Sequence, residues 1–345
     1  MDRAPVRVLI TSPLEAEFVG RIAAVDSRLD VVYPSDLIPV MRYPADHAAP
    51  NPQDPEEAAA WRSLLDTAEV LFDFGPRPLW GELTALPHLR WIQATSAGVG
   101  QFATRIGLGG SPIMVTTASG VHARPLAEFT LMAMLMFGKG AFGMLADQRA
   151  HRWARFAGED LAGKVVGIVG VGRIGSEVAR VARGLDAYVV GTVRSVGART
   201  AEELHLDRLV PMADLDGLLG ELDFLVLSCP HTPETEGLIN ADRLARLGSR
   251  AVLINLARGA IVDEPALIAA LQAGKLAGAA LDVAAQEPPA PDNPLWDMPN
   301  VLISPHSAST TKSENGKITE LFCDNLRRYL EGQPLRNVLN YTLLY

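Results

Sequence analysis

The stretch Val165-Val166-Gly167-Ile168-Val169-Gly170-Val171-Gly172-Arg173-Ile174-Gly175 decides how the rest of the chain is read. A run of strand formers enters Gly-x-Gly-x-x-Gly, and a helical pattern continues to Leu185. Between a strand and a helix each glycine has its own task. Gly170 permits the tight turn, Gly172 lets a pyrophosphate come close to the backbone, and Gly175 lets the helix pack on the strand. The first helical turn, at Arg173 and Ile174, offers amide N–H groups and a partial positive charge to the phosphates. Outside a βαβ unit the same six residues would be an ordinary glycine-rich turn.

Cofactor choice is decided further along. An NAD site normally carries Asp or Glu about 20 residues after the motif, at the end of the second strand, to accept from the ribose 2′-hydroxyl. Here that strand ends Gly191-Thr192-Val193-Arg194-Ser195, with Val193 where the acid would stand. Arg194 and Ser195 offer a cation and a hydroxyl to a 2′-phosphate, which favours NADP over NAD. The alternative leaves Arg194 as a solvated surface cation.

Working outward, strands are predicted at Val165–Val169, Tyr188–Val193, 224–228, 251–256, 279–283 and 301–304, enough to complete a doubly wound nucleotide-binding domain. Upstream, short apolar runs at Val6–Ile10, 31–33, 70–74 and 90–94 alternate with helical stretches such as 55–67, the pattern of a parallel sheet with crossover helices. The proline-rich segment 39–55 reads as a surface loop. One apolar helix is predicted over 125–150, with Pro125 in its first turn. A last amphipathic helix, 311–330, stops before Gly332 and Pro334 and is a candidate to rejoin the first domain.

Composition narrows the function. With 345 residues the chain has material for about two domains. Lys and Arg total 31 against 40 Asp and Glu, and the net charge of −9 opposes binding to nucleic acid or an anionic membrane. The apolar run 129–137 is too short to span a bilayer, and the N-terminal segment lacks the pattern of a signal peptide, so a cytoplasmic protein is expected. Cys229 and Cys323 have neither disulfide nor zinc spacing, and no metal site is expected.

Three late strands end in polar residues able to do chemistry: Arg258, Glu287 and His306. Ligands of open α/β sheets bind beyond the carboxyl ends of the strands, so the three could meet in one crevice. Singly, each has a plainer explanation as a capping cation, a turn acid or a core histidine. The surrounding text is Gly163-Lys164-Val165-Val166-Gly167, Asn255-Leu256-Ala257-Arg258-Gly259, Leu281-Asp282-Val283 with Glu287-Pro288, and Ser304-Pro305-His306-Ser307-Ala308. In this order it resembles the D-isomer-specific 2-hydroxyacid dehydrogenase family, of glyoxylate/hydroxypyruvate reductase type.

The resemblance implies an α/β protein of two doubly wound parallel-sheet domains: a flavodoxin-like substrate domain (1–120 and 309–345) and an inserted Rossmann coenzyme domain (121–308), with the active site between them. It implies hydride transfer between NAD(P)H and a small 2-oxo acid. Arg258 would grip the substrate carboxylate, His306 would exchange the carbonyl proton, and Glu287 would pair with His306 and favour its charged form. Asp282 and the Ala257 carbonyl would orient the nicotinamide carboxamide, and Cys229-Pro230 would line the adenosine side. Ser96-Ala97-Gly98 matches a loop that receives the substrate carboxylate, and equally reads as an ordinary glycine turn. A homodimer through the coenzyme domain is implied, with the apolar 129–144 region as its place.

Departures from the family text are Gly100, where relatives carry an acid, and Ala284-Ala285, where they carry a bulkier pair. Phe74-Gly75-Pro76-Arg77 matches no subfamily, so the substrate side chain stays open. Trp153 borders the pocket or belongs to interface or core. His231 and His122 receive no catalytic role, and His47, His88, His151 and His205 are expected to be solvated or structural. A second class remains: a nucleotide-sensing corepressor of the same fold.

Overall fold

The computed structural model describes residues 5–194, 197 and 199–344 and divides into two compact units, Met1–His122 with Thr310–Tyr345, and Ala123–Ser309. Ser195, one of the two residues suggested for the 2′-phosphate, lies outside the described residues.

The first unit is built on a five-stranded sheet, β1 (Val6–Ile10), β2 (Leu29–Val32), β3 (Val70–Phe72), β4 (Trp91–Gln93) and β5 (Met114–Thr116), in the order β2-β1-β3-β4-β5. Every pairing is parallel. Alternation along the strands splits the core: Leu9, Leu71 and Ile92 face one layer, while Val8, Ile10, Val70, Phe72 and Trp91 face the other. Helices α1 (Ala16–Ala23), α2 (Pro55–Leu65), α3 (Gly100–Arg105) and the C-terminal α10 (Glu314–Leu330) surround the sheet. The Phe322 ring of α10 lies against Phe72 and Trp91 at 5.1 and 5.2 Å. Beyond α10 the tail runs antiparallel to β5, with Leu339 N–H donating to Val115 O at 2.8 Å. The edge strand β5 is not among the strands expected from the sequence.

The second unit has seven strands: β6 (Val165–Val169), β7 (Tyr188–Val193), β8 (Arg208–Pro211), β9 (Phe224–Leu227), β10 (Val252–Asn255), β11 (Gly278–Leu281) and β12 (Val301–Ile303). Their order, β12-β11-β10-β9-β6-β7-β8, is that of a Rossmann sheet, again all parallel. The strand beyond the six expected is β8, at the sheet edge. Arg208 and Pro211 make it polar and half-exposed, which hides it from a search for buried runs.

The helix predicted over 125–150 is two helices, α4 (Ala123–Gly138) and α5 (Ala141–Arg149), bent by 65°. Gly140, in the left-handed conformation at φ 65°, makes the break. No single helix among the described residues is long and apolar enough to cross a membrane. Helices α6 (Arg173–Arg183), α7 (Leu215–Leu218), α8 (Ala241–Arg246) and α9 (Glu264–Gln272) complete the unit.

Candidate active site

At the carboxyl end of β6 the glycine motif has the geometry a dinucleotide needs. Gly170 sits at φ +89°, and a Cβ there would lie 2.5 Å from Cys229 Cα, so no other residue fits the turn. A Cβ on Gly175 would lie 2.7 Å from the Gly170 carbonyl, whereas one on Gly172 would meet nothing within 4 Å. The open flank at Gly172 is where a phosphate group would lie. Gly172 is also the N-cap of α6 and brings no side-chain cap to the first-turn amides at Arg173 and Ile174. The residues present fit a dinucleotide.

β7 ends with Val193 buried and Arg194 exposed, and neither position carries an acid. A second cation stands nearby, since Arg199 Nη1 donates to the Val171 carbonyl of the glycine loop at 3.3 Å. Its distance in sequence from the motif concealed it. Cys229 is buried against the glycine turn after β9, its thiol pushed up to about 11 by desolvation, while Pro230 is exposed beside it.

Arg258, Glu287 and His306 follow β10, β11 and β12. His306 Nδ1 is 2.8 Å from Glu287 Oε2, and Glu287 Oε1 accepts from Ala284 N–H at 3.2 Å. Partial burial pushes the Glu287 carboxyl up, but the His306 hydrogen bond and charge, the Ala284 amide and the Arg258 guanidinium together hold it below its ordinary value. Arg258 is largely desolvated, which lowers its pKa against the opposing Glu287 and Asp282 carboxylates. Both acids feel its charge, so the three strand ends form one electrostatic cluster. Arg258 Nη1 also donates to the Ala257 carbonyl at 2.7 Å.

Asp282 is buried at 2 % exposure, and its contacts are with the histidine loop. Oδ1 accepts from Ser304 Oγ at 2.7 Å, Ser307 N–H at 2.8 Å and Ala308 N–H at 2.9 Å, while the Asp282 carbonyl accepts from His306 N–H at 2.9 Å. These bonds hold His306 at φ +53°, a conformation few non-glycine residues adopt.

In the first unit Ser96, Ala97 and Gly98 lie in the loop beyond β4, with a bend over Thr95, Ser96 and Ala97 and with Ser96 and Gly98 exposed. The loop after β3 is braced: Gly75 N–H donates to Thr11 Oγ1, Trp80 Nε1 donates to the Gly75 carbonyl, and the Phe74 ring meets Phe102 edge-on at 4.9 Å. Two histidines given no catalytic role, His47 and His122, prove to be organised. His47 Nδ1 is 3.0 Å from Ser12 Oγ, and Glu314 Oε1 lies 3.6 Å from His47 Nε2 and 3.1 Å from His122 Nε2. Burial pushes the Glu314 carboxyl up, but the two imidazoles outweigh it and bring it down to about 2. No local pattern could announce a network drawn from residues 12, 47, 122 and 314.

Comparison with known proteins gives this geometry its context. The family model described as D-isomer specific 2-hydroxyacid dehydrogenase, NAD binding domain, matches residues 131–308. The chain belongs to the D-isomer-specific 2-hydroxyacid dehydrogenases. It is 34% identical over 286 residues to a glyoxylate/hydroxypyruvate reductase B of Pectobacterium atrosepticum, covering 81% of this chain and 88% of that one. With a D-3-phosphoglycerate dehydrogenase of Archaeoglobus fulgidus it shares 35% identity over 230 residues, 66% of this chain but only 43% of that protein. Among solved structures, an NADPH-dependent glyoxylate/hydroxypyruvate reductase from Sinorhizobium meliloti in complex with NADP and sulfate superposes at TM-score 0.79. It has 25% identity, over 99% of this chain and 100% of that one.

Two glycines of this 2-hydroxyacid dehydrogenase sit against neighbouring backbone. Gly100 lies under the C-terminal tail, where a Cβ would come within 2.1 Å of the Leu344 carbonyl. A Cβ on Gly259 would come within 1.9 Å of the Ala284 carbonyl, so the main chain of Ala284 and Ala285 lies directly on the backbone that follows Arg258.

Proposed function

We propose that this 2-hydroxyacid dehydrogenase reduces a small 2-oxo acid of the glyoxylate or hydroxypyruvate class to the D-2-hydroxy acid, with NADPH preferred over NADH. The observation that carries the reading is the His306–Glu287 pair at 2.8 Å with the Arg258 charge acting on the same carboxylate. Arg258 binds the substrate carboxylate through its fork of donors and leaves the 2-oxo group facing His306. Reduced nicotinamide, when bound, supplies the hydride to the carbonyl carbon. His306 gives the proton of Nε2 to the carbonyl oxygen as negative charge develops there. Glu287, ionised beside Nδ1, fixes the ring and balances its charge until the proton leaves. With its side chain 43% exposed, the imidazole recovers a proton from water after each turnover. Asp282 acts as a positioning residue for that imidazole, and the Ser96-Ala97-Gly98 loop suits a substrate carboxylate.

Arg194 and Arg199, in place of an acid after β7, support the NADP preference. A homodimer is part of the proposal. Met132, Leu135, Met144 and Leu145 are exposed on α4 and α5, and the following segment 151–160 is exposed throughout, with Trp153 at 96 % and Phe156 at 56 %. Such apolar surface suits a second copy of the chain. Two buried, unpaired cysteines fit a reducing cytoplasm. The test is a panel of short 2-oxo acids with NADPH and with NADH, following loss of reduced-cofactor absorbance. Turnover with glyoxylate or hydroxypyruvate supports the proposal, whereas tight NADPH binding without turnover of any member overturns it.

A further inference from the structure

Glu287 stands on a largely exposed stretch, 284–293, that has no regular secondary structure and contains Pro288, Pro289 and Pro291. A catalytic carboxylate on such a loop needs an external brace to stay within hydrogen-bonding reach of its partner. The brace is visible at Glu264, the first residue of α9. Its Oε2 accepts from Ala285 N–H at 2.9 Å, two residues before Glu287, and its Oε1 accepts from Asn293 Nδ2 at 2.8 Å, at the far end of the loop. One side chain thus closes both ends of the segment that presents Glu287. Glu264 is itself fixed, because Asp263 caps α9 by accepting from Ala266 N–H and Pro265 follows it in the first turn. The third hold is steric, through the contact of Ala284 with Gly259 already described.

We infer that Glu264 is a positioning residue for the catalytic pair, acting on the reaction through the loop that aims Glu287 at His306; this rests on the function proposed above. The chemistry of the brace requires a carboxylate. Both of its contacts are N–H donors, and an ionised carboxylate offers an acceptor oxygen to each. Glutamine supplies one acceptor and turns an NH2 group towards the other donor. Asn293 cannot relieve that clash by rotating its amide, since its Oδ1 accepts from Leu295 N–H at 3.0 Å.

The experiment compares Glu264→Ala and Glu264→Gln with the wild-type chain, alone and combined with Glu287→Gln. In steady-state reduction E264A lowers kcat about 30-fold and E264Q about fivefold, in line with the cost of small misplacements of catalytic groups. NADPH affinity, titrated by fluorescence, stays within about twofold, because the glycine motif is untouched. In the E287Q background, E264A costs less than about twofold more, since two residues on one path are not additive. A merely structural role gives additive losses in the double variant, and that result overturns the inference. The second readout needs no turnover: with histidine-labelled protein, the Nδ1–H resonance of His306 in E264A moves to its position in E287Q. An unchanged resonance in E264A and E264Q overturns the inference by itself. If the wild-type chain reduces no 2-oxo acid while the resonance still follows Glu264, the brace stands and the functional proposal alone fails.

Discussion

Replacing Asp282 by alanine removes the oxygen that accepts from Ser304 Oγ, Ser307 N–H and Ala308 N–H, the three bonds that form the His306 loop. A hydrogen bond to a charged group contributes about 1.5–3 kcal/mol, so three at the lower figure total about 4–5 kcal/mol. Ser307 is exposed, and water will replace the partner of its amide. The expected net loss is therefore about 3 kcal/mol, or about 6–12 °C in the melting of a domain of this size. His306 is held at φ +53°, so loss of the anchor also frees it to relax towards ordinary backbone angles. The imidazole then leaves its place at Glu287, and kcat falls about 100-fold, the usual cost of a displacement near 1 Å. Asp282→Asn keeps a neutral acceptor and should lose about tenfold. The assay pairs steady-state reduction at saturating NADPH with fluorescence titration of NADPH in the absence of substrate. Anchoring predicts a large fall in kcat with NADPH affinity nearly unchanged. A weakened NADPH affinity with kcat within about threefold of wild type would refute the reasoning and return Asp282 to the nicotinamide carboxamide.

Four further outcomes are expected. Arg194→Ala raises KM for NADPH about tenfold and leaves NADH use within about twofold, as loss of a charge-assisted phosphate contact requires; equal losses with both cofactors would remove Arg194 from the 2′-phosphate. Gly259→Ala drives a methyl into the Ala284 carbonyl and displaces the Glu287 loop, so kcat should fall at least tenfold while NADPH binding persists; a fully active variant would contradict the contact. Glu314, at about 2 in the folded state against an ordinary 4.5, contributes stability that is intact above pH 4.5 and lost as pH falls towards 2. Allowing for solvent, Glu314→Gln should cost about 2 kcal/mol in urea unfolding at pH 7 and flatten the acid slope, and an unchanged slope would rule out the two-histidine clamp. Leu135→Asp on the exposed face of α4 should shift sedimentation from that of the proposed dimer to that of a monomer, and a wild-type chain that sediments as a monomer would overturn that proposal.

Much of this was legible because a parallel sheet delivers residues to one edge. The β6 strand, its glycines and the helix after them are local, and local pattern sufficed. Arg258, Glu287 and His306 were legible for the related reason that each follows a short apolar run, buried in β10 and β11 and half-buried in β12, and equivalent ends of parallel strands lie side by side. Two edge strands were not, the three-residue β5 and the half-polar β8. The break at Gly140 was hidden inside an apolar run that suits one helix as well as two. Supporting residues were the least legible. Glu264 looks like any first-turn acid, His47 like a loop histidine, and Arg199 like a surface cation. Each acquires its meaning only from a partner 20 or more residues away, to which sequence periodicity is blind.

The central claim is hydride transfer to the carbonyl carbon of a 2-oxo acid, and isotope transfer tests it most directly. NADPH deuterated on the transferring face of the nicotinamide ring should give 2-hydroxy acid with one deuterium at C2 and D configuration, and His306→Ala should suppress its formation at least 100-fold without weakening NADPH binding. Product without deuterium at C2, or deuterated product formed at an undiminished rate by the His306 variant, would contradict the account.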